Sequence, residues 1–263
     1  MSASRAHLIF SSNTNVGKTL LSAGLCRYRT HHLGLPTTYL KPLQCGVPWD
    51  EDLIKLYSNP KHLHSKTLAS FDPYPCSPHL ASILSGQDTN TYKTDSETLT
   101  DLKSSISSTP NHQTYIETAG GVYSPPLAFP SPSPSPPPPP NYVTYKSTSL
   151  IYTLQSHTYS SLNLPTILVG DSKLGGLSTT LTSLESLINS NHVIEYIVFI
   201  GSDKSYDLVS NAETVSEYIK MKGLDVKVIE LPSPPELYDN KVEGDLWEYF
   251  DSENFISQIS KIK

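Results

Sequence analysis

The stretch Ser11-Ser12-Asn13-Thr14-Asn15-Val16-Gly17-Lys18-Thr19, directly behind the apolar run His7-Leu8-Ile9-Phe10, narrows this chain to few folds. It reads as strand, tight loop, helix. From Thr19 to Cys26 the apolar residues recur at helical spacing. A loop feeding a helix N-terminus aims backbone N–H groups and the positive end of the helix dipole at an anion. The phosphate-binding form of such a loop is G-x-x-x-x-G-K-[ST]. Gly17, Lys18 and Thr19 fit its second half, while Ser12 stands where the first glycine belongs. In that reading Lys18 reaches the outer phosphates of a nucleotide and the Thr19 hydroxyl ligates Mg2+. A lone G-K-T is also compatible with an ordinary loop lysine. Its place between a first strand and a first helix favours phosphate.

Strands and helices alternate over the rest of the chain. A second strand, Thr37–Leu40, leads into Lys41-Pro42-Leu43-Gln44-Cys45-Gly46, where Pro42 is expected to halt the ladder and leave Lys41 at a strand's carboxyl end. Ligands gather there in open α/β sheets. Asp50-Glu51-Asp52 precede a short helix over 53–57, where capping alone would justify the acids. Tyr74 to Ala81 reads as a Pro-punctuated loop opening a helix, and 87–113 as polar, with one helix and loose surroundings. Tyr115-Ile116-Glu117-Thr118-Ala119-Gly120-Gly121-Val122 is a strand meeting a small-residue turn, a place for a Mg2+-directed carboxylate. Further strands at 165–171, 196–200 and 226–231 are separated by helices at 178–187 and 212–221. The pattern specifies an α/β, P-loop NTPase-like, doubly wound and mainly parallel sheet with helices on both faces.

The 263 residues suffice for a sizeable core, and a single domain over 1–263 is expected. A hydrophobic fraction of only 37% with 22 prolines points to non-core insertions. The clearest is the Pro/Ser-rich segment at about 125–150, expected to be a disordered surface loop because proline donates no backbone hydrogen bond. A net charge of −6 argues against nucleic acid as a partner. No run approaches the ~20 apolar residues of a membrane helix, so no membrane partner is expected. The N-terminus shows no signal core, and a transit peptide would lie upstream of Met1 or be absent. Cys26, Cys45 and Cys76 are scattered, as expected of reduced thiols in an intracellular compartment. Cys76 with His79, or His62 with His64, lacks the second pair that a zinc site needs.

Taken together, Lys41-Pro42, Ser77-Pro78-His79, Glu117-x-Ala119-Gly120-Gly121 and Leu174-Gly175-Gly176, set beside the phosphate loop, resemble the dethiobiotin synthetases. The blocks Glu117–Val122 and Ile167–Asp171 are most similar to the synthetase half of bifunctional eukaryotic enzymes that also carry diaminopelargonate aminotransferase. The resemblance runs from Leu8 to about Trp247. It implies joining of CO2 to 7,8-diaminononanoate with ATP as co-substrate and Mg2+ as cofactor. It also implies Lys41 and Lys18 as catalytic residues. ATP would be held by Asn15, Val16, Gly17, Lys18, Thr19 and Leu20, by Asp52, and by Glu117, Thr118, Ala119 and Gly120. Ser202, Asp203, Pro232 and Glu236 would lie near the adenine. Thr14, Lys41 and Cys45 would contact substrate, and Thr19, Asp52 and Glu117 would ligate the metal, with Asp50 competing for the role of Asp52. The resemblance further implies a homodimer, work alongside or fusion to the aminotransferase, and a mitochondrial or cytosolic location.

Departures from the family pattern are Ser12, Asn15 where bacterial members often carry glutamate, and Cys45, whose thiol is a poorer hydrogen-bond partner than a hydroxyl. They keep open a catalytically weak nucleotide-binding scaffold or regulatory domain on the same fold. Partition and septum-positioning ATPases are disfavoured, because they carry a lysine where this chain has Asn13.

Overall fold

The computed structural model describes residues 6–85, 95–125, 129–130, 143–145, 150–152, 154–201, 209–235 and 245–263. Seven strands form one sheet: β1 (Ala6–Ser11), β2 (Thr37–Cys45), β3 (Leu63–Phe71), β4 (Gln113–Glu117), β5 (Pro165–Val169), β6 (Val193–Ile200) and β7 (Lys227–Leu231). Their order is β7-β6-β5-β1-β4-β2-β3, and every pairing is parallel. Strand β1 therefore sits centrally, with β4 on one side and β5 on the other. The chain order reverses at this point, so the carboxyl ends part and leave a crevice.

Period-two alternation decides which residues face which layer. Ile9 packs with Leu20, Tyr39, Tyr115 and Ile54, whereas Leu8 and Phe10 pack with Leu40, Ile116, Leu102 and Leu184. The first layer is built from α1 (Lys18–Arg27), α2 (Asp50–Tyr57), α8 (Asp245–Asp251) and α9 (Glu253–Ile259). The second is built from α4 (Asp95–Ser108), α5 (Gln155–Ser160), α6 (Gly176–Asn189) and α7 (Asn211–Lys222). A short α3 (Pro78–Leu84) lies beside β2 and β3. The doubly wound parallel sheet expected from the alternation is thus the observed architecture.

Several boundaries differ from expectation. Strand β2 does not stop at Pro42. Its register with β4 ends at Leu40↔Ile116, but that with β3 continues through Leu43↔Ala69 to Cys45↔Phe71. Proline is accommodated where one side of the strand no longer has a partner. Lys41 consequently lies in mid-strand, level with Glu117 at the end of its β4 neighbour, rather than at the end of β2. Helix α1 stops at Arg27 and continues as a π-helical turn, Tyr28–His32, where Thr30 Oγ1 donates to the Cys26 carbonyl at 2.7 Å. Edge strand β3 and helix α5 have too little apolar periodicity to be seen in sequence. In the proline-rich segment, Phe129–Pro130 and Val143–Tyr145 both pair antiparallel with Leu150–Tyr152. Of the segment at about 125–150 expected to be disordered, residues 126–128, 131–142 and 146–149 fall outside the described residues.

The C-terminal helices are clamped to α1. Gly24 lets Phe255 approach so closely that a Cβ there would lie 2.4 Å from its Cζ. Buried Arg27 donates to both carboxylate oxygens of Asp251 and lies 4.2 Å over the Trp247 ring.

Candidate functional site

Local chain geometry builds the phosphate loop. Between β1 and α1 the backbone enters the left-handed region at Asn15 (φ 58°) and Gly17 (φ 97°). Asparagine tolerates that region better than most residues, while Gly17 also needs its missing side chain: a Cβ would meet Ile200 Cδ1 at 2.6 Å. Ser12 is not one of the loop's left-handed positions, so serine stands there without that strain. Its N–H donates to the Val169 carbonyl at 2.9 Å, and its enclosed Oγ has no hydrogen-bond partner among the described residues. Gly17 caps α1, leaving the first-turn N–H groups aimed at the crevice.

Below the loop lies a buried ionic cluster. Glu117, at the end of β4, is fully buried. Its Oε1 accepts from Lys41 Nζ at 2.8 Å and Thr19 Oγ1 at 3.0 Å, and its Oε2 accepts from the Tyr39 hydroxyl at 3.0 Å. Lys41 also reaches Asp50 Oδ2 at 2.6 Å and the Thr118 carbonyl at 3.4 Å. Burial alone would raise the pKa of Glu117, yet the Lys41 ammonium, with Lys18 behind it, holds its carboxyl below the usual range. Lys41 is opposed in the same way: burial disfavours its charge, but Glu117 and Asp50 more than compensate and keep it protonated. Lys18 donates to Ser11 Oγ at 2.7 Å and to the Gly120 carbonyl at 2.9 Å. Burial, with Lys41 nearby, lowers its pKa to about 8. Two lysines and two carboxylates thus leave the cluster near neutrality, with Lys41 paired to both carboxylates and Lys18 held by Ser11 and the Gly120 carbonyl.

Backbone clamps hold this arrangement. Fully buried Gln155 of α5 accepts from the Ala119 N–H at 3.1 Å and donates to the Ala119 carbonyl. It completes, in place of a strand neighbour, the hydrogen bonds of the turn whose carbonyls hold both lysines. Gln44 does similar work for α2, accepting from Asp50 N–H at 3.2 Å and donating to the Gly46 carbonyl at 3.2 Å. Asn211 ties the loop after β5, donating to the Asp171 and Lys173 carbonyls at 3.0 and 3.1 Å.

These groups line a cleft of about 1020 Å3. It gathers Thr14, Asn15, Val16, Gly17, Lys18, Thr19, Leu20, Lys41, Cys45, Glu117, Ala119 and Gly120 from the sequence-derived set. Thr118 takes part through its carbonyl, its hydroxyl being occupied by the Ile9 carbonyl at 3.0 Å. Asp52 is not brought in. It is exposed on α2, and Asp50 occupies the place beside Lys41. The helix starts at Asp50, so the residue two places on lies well around its axis. Pro232 is not in the wall, and its carbonyl accepts from Tyr249 at 2.8 Å; Ser233, Pro234 and Pro235 line the cleft instead. Ser202, Asp203 and Glu236 fall outside the described residues.

Sequence reasoning missed Tyr39, Gln155 and the wall formed by Asp171, Ser172 and Lys173. The last was findable, because it directly follows a buried parallel strand. Cys45 is half-buried, and burial, with Cys76 near it, pushes its thiol up to about 12. It faces the cleft as a neutral thiol.

No protein-family model matches the chain. The chain is 31% identical over 236 residues to a bifunctional dethiobiotin synthetase/adenosylmethionine-8-amino-7-oxononanoate aminotransferase of Emericella nidulans, across 88% of this chain and 25% of that protein. It is 27% identical to the mitochondrial bifunctional dethiobiotin synthetase/7,8-diamino-pelargonic acid aminotransferase of Oryza sativa, across 89% of this chain and 31% of that protein. With the ATP-dependent dethiobiotin synthetase of Neorickettsia sennetsu it shares 28% identity, across 81% of this chain and 82% of that one. The chain thus spans a third or less of the two bifunctional relatives. Among solved structures, the MinD cell division protein of Aquifex aeolicus matches with a TM-score of 0.51 and 14% identity, over 98% of this chain and 96% of that one. Its MinC:MinD complex gives 0.53 and 11%, over 98% and 95%. These two likenesses concern the fold alone. In sequence the chain is similar to the dethiobiotin synthetases, the bifunctional fungal and plant forms included, and its architecture is a P-loop NTPase-like α/β fold.

Proposed function

We propose that this chain is an ATP-dependent dethiobiotin synthetase. It would join CO2 to 7,8-diaminononanoate and close the ureido ring, releasing ADP and phosphate. The observation that carries the reading is Lys41, buried and protonated between Glu117 and Asp50, in the same cleft as the phosphate loop. Phosphoryl transfer asks for positioned positive charge rather than covalent help, and this cluster supplies it.

In the proposed sequence one substrate amine adds to CO2 and loses a proton, giving a carbamate. A carbamate oxygen attacks the γ-phosphorus, ADP leaves, and a carbamic–phosphoric anhydride forms. The second amine then attacks the carbamate carbon, and phosphate departs as the ring closes. Lys18 and the N–H groups of Asn15 to Thr19 are assigned to the triphosphate. Lys41 is assigned to the charge shared between carbamate and transferring phosphoryl group. Thr14 and Cys45 are assigned to the substrate side. The purine is assigned to the far end of the cleft, near Ile200, Gly201 and Ser233 to Pro235.

The donor set fits Mg2+. Thr19 Oγ1, Glu117 and Asp50 offer oxygen only, and Mg2+ is ordinarily held by one or two carboxylates together with phosphate oxygens and water. Among the described residues no group of three or more His, Cys, Asp or Glu gathers as a metal site, so phosphate and water would complete the shell. When bound, Mg2+ would neutralise charge on the β- and γ-phosphates. Asp50, rather than Asp52, is proposed as the second carboxylate. We further infer a homodimer in a reducing intracellular compartment, where Cys26, Cys45 and Cys76 remain free thiols, with an aminotransferase supplying the diamine. ADP release from Mg-ATP and bicarbonate, with and without 7,8-diaminononanoate, tests the proposal. Release that depends on the diamine supports it, and diamine-independent release or none contradicts it.

A further inference from the structure

Tyr39 is fully buried in the layer beneath the site, yet it is absent from the residues that line the cleft. It sits two residues before Lys41 on β2, so the two side chains leave the same face of the strand. Both donate to Glu117, but to different oxygens. Lys41 and Thr19 share Oε1, and the Tyr39 hydroxyl takes Oε2 at 3.0 Å. The two carboxylate oxygens are therefore unequal. Oε1 faces Thr19 and the phosphate loop; Oε2 meets a phenol that is buried in the same core cluster as Ile9, Tyr115 and Cys26.

Hard cations differ in what they ask of such a carboxylate. Ca2+ takes six to eight oxygens and readily uses both oxygens of one carboxylate, whereas Mg2+ demands near-octahedral geometry with shorter bonds. We propose that Tyr39 is a specificity-determining, positioning residue. By occupying Oε2 it restricts Glu117 to a single presented oxygen, and so sets the cleft for a Mg2+-nucleotide over a Ca2+-nucleotide. The assignment rests on the nucleotide-binding reading of the cleft.

Tyr39→Phe removes the hydroxyl and leaves the ring that fills the core. ADP binding to the full chain is measured by calorimetry with Mg2+ alone and with Ca2+ alone, and the ratio of the two dissociation constants is compared. For the unaltered protein, ADP should bind at least about tenfold more tightly with Mg2+, in line with the different coordination demands of the two ions. In Tyr39→Phe the ratio should fall severalfold, chiefly because binding with Ca2+ improves. A merely structural role would weaken both alike. An unchanged ratio in a folded Tyr39→Phe protein would overturn the proposal. So would equal affinities with the two cations in the unaltered protein, which tests the idea even if the variant does not fold. Failure of the unaltered protein to bind ADP with either cation would instead overturn the nucleotide reading itself, and this assignment with it.

Discussion

At the scale of single residues, the central fact is a lysine paired with two carboxylates inside a cleft that also holds a second lysine. Lys41 contacts Glu117 and Asp50 at 2.8 and 2.6 Å, so its charge is fixed while its neighbours remain acceptors. Lys41→Ala should lower turnover by about a hundred- to a thousandfold, the scale of one lost charge-stabilising group at a transition state. ATP binding should change little, because the phosphate loop is untouched; steady-state kinetics and equilibrium binding on one preparation separate the two. The paired acids on α2 give a sharper contrast. Asp50→Asn should impair turnover and its Mg2+ dependence, whereas Asp52→Asn, exposed and away from the cleft, should stay within about twofold of the unaltered protein, as surface substitutions usually do. Sequence could not decide between these acids, since the choice depends on where the helix begins. It did carry Gly17, Lys18, Thr19 and Glu117, because a loop at a helix start and an acid at a strand end are local patterns. Tyr39 gave no signal: on a strand, a tyrosine that packs and one that also orients a carboxylate look alike.

At the scale of elements, the turn after β4 depends on a helix far away in sequence. Gln155 supplies both hydrogen bonds to Ala119, and that turn carries the carbonyls that hold Lys18 and Lys41. Gln155→Leu would leave a buried N–H and C=O without partners, at about 1–3 kcal/mol each. Chemical denaturation should show a loss of that order, with nucleotide affinity reduced as well. Helix α5 was invisible in sequence because it is six residues long and polar, and β3 because an edge strand needs little apolar alternation. The long apolar runs of β1, β5 and β6 were legible for the opposite reason: a strand buried on both faces must be apolar throughout.

At the scale of the whole molecule, two cores sandwich one sheet, and two histidines are enclosed in the assembly. His7, whose Nε2 lies 3.1 Å from Glu195, and His192, whose Nε2 contacts the Ser156 carbonyl at 2.7 Å, both have their pKa lowered by burial. In the unfolded chain each takes up a proton near pH ~6.5, while the native protein resists it. Their contribution to stability is therefore full above that pH and declines as the pH falls through it. The melting temperature should drop between about pH 7.5 and about pH 5.5, and His192→Gln should flatten the slope. The same two-sided burial made the fold class readable from alternating strands and helices. The order of the strands, and hence the crevice between β4 and β5, exists only once the chain has folded.

The most direct measurement of the central claim supplies the protein with Mg-ATP, 7,8-diaminononanoate and bicarbonate labelled with heavy carbon, and follows the product by mass spectrometry. Dethiobiotin carrying the label, formed in step with ADP and lost in Lys41→Ala, is the predicted result. Nucleotide binding with no labelled dethiobiotin at any diamine concentration would contradict it.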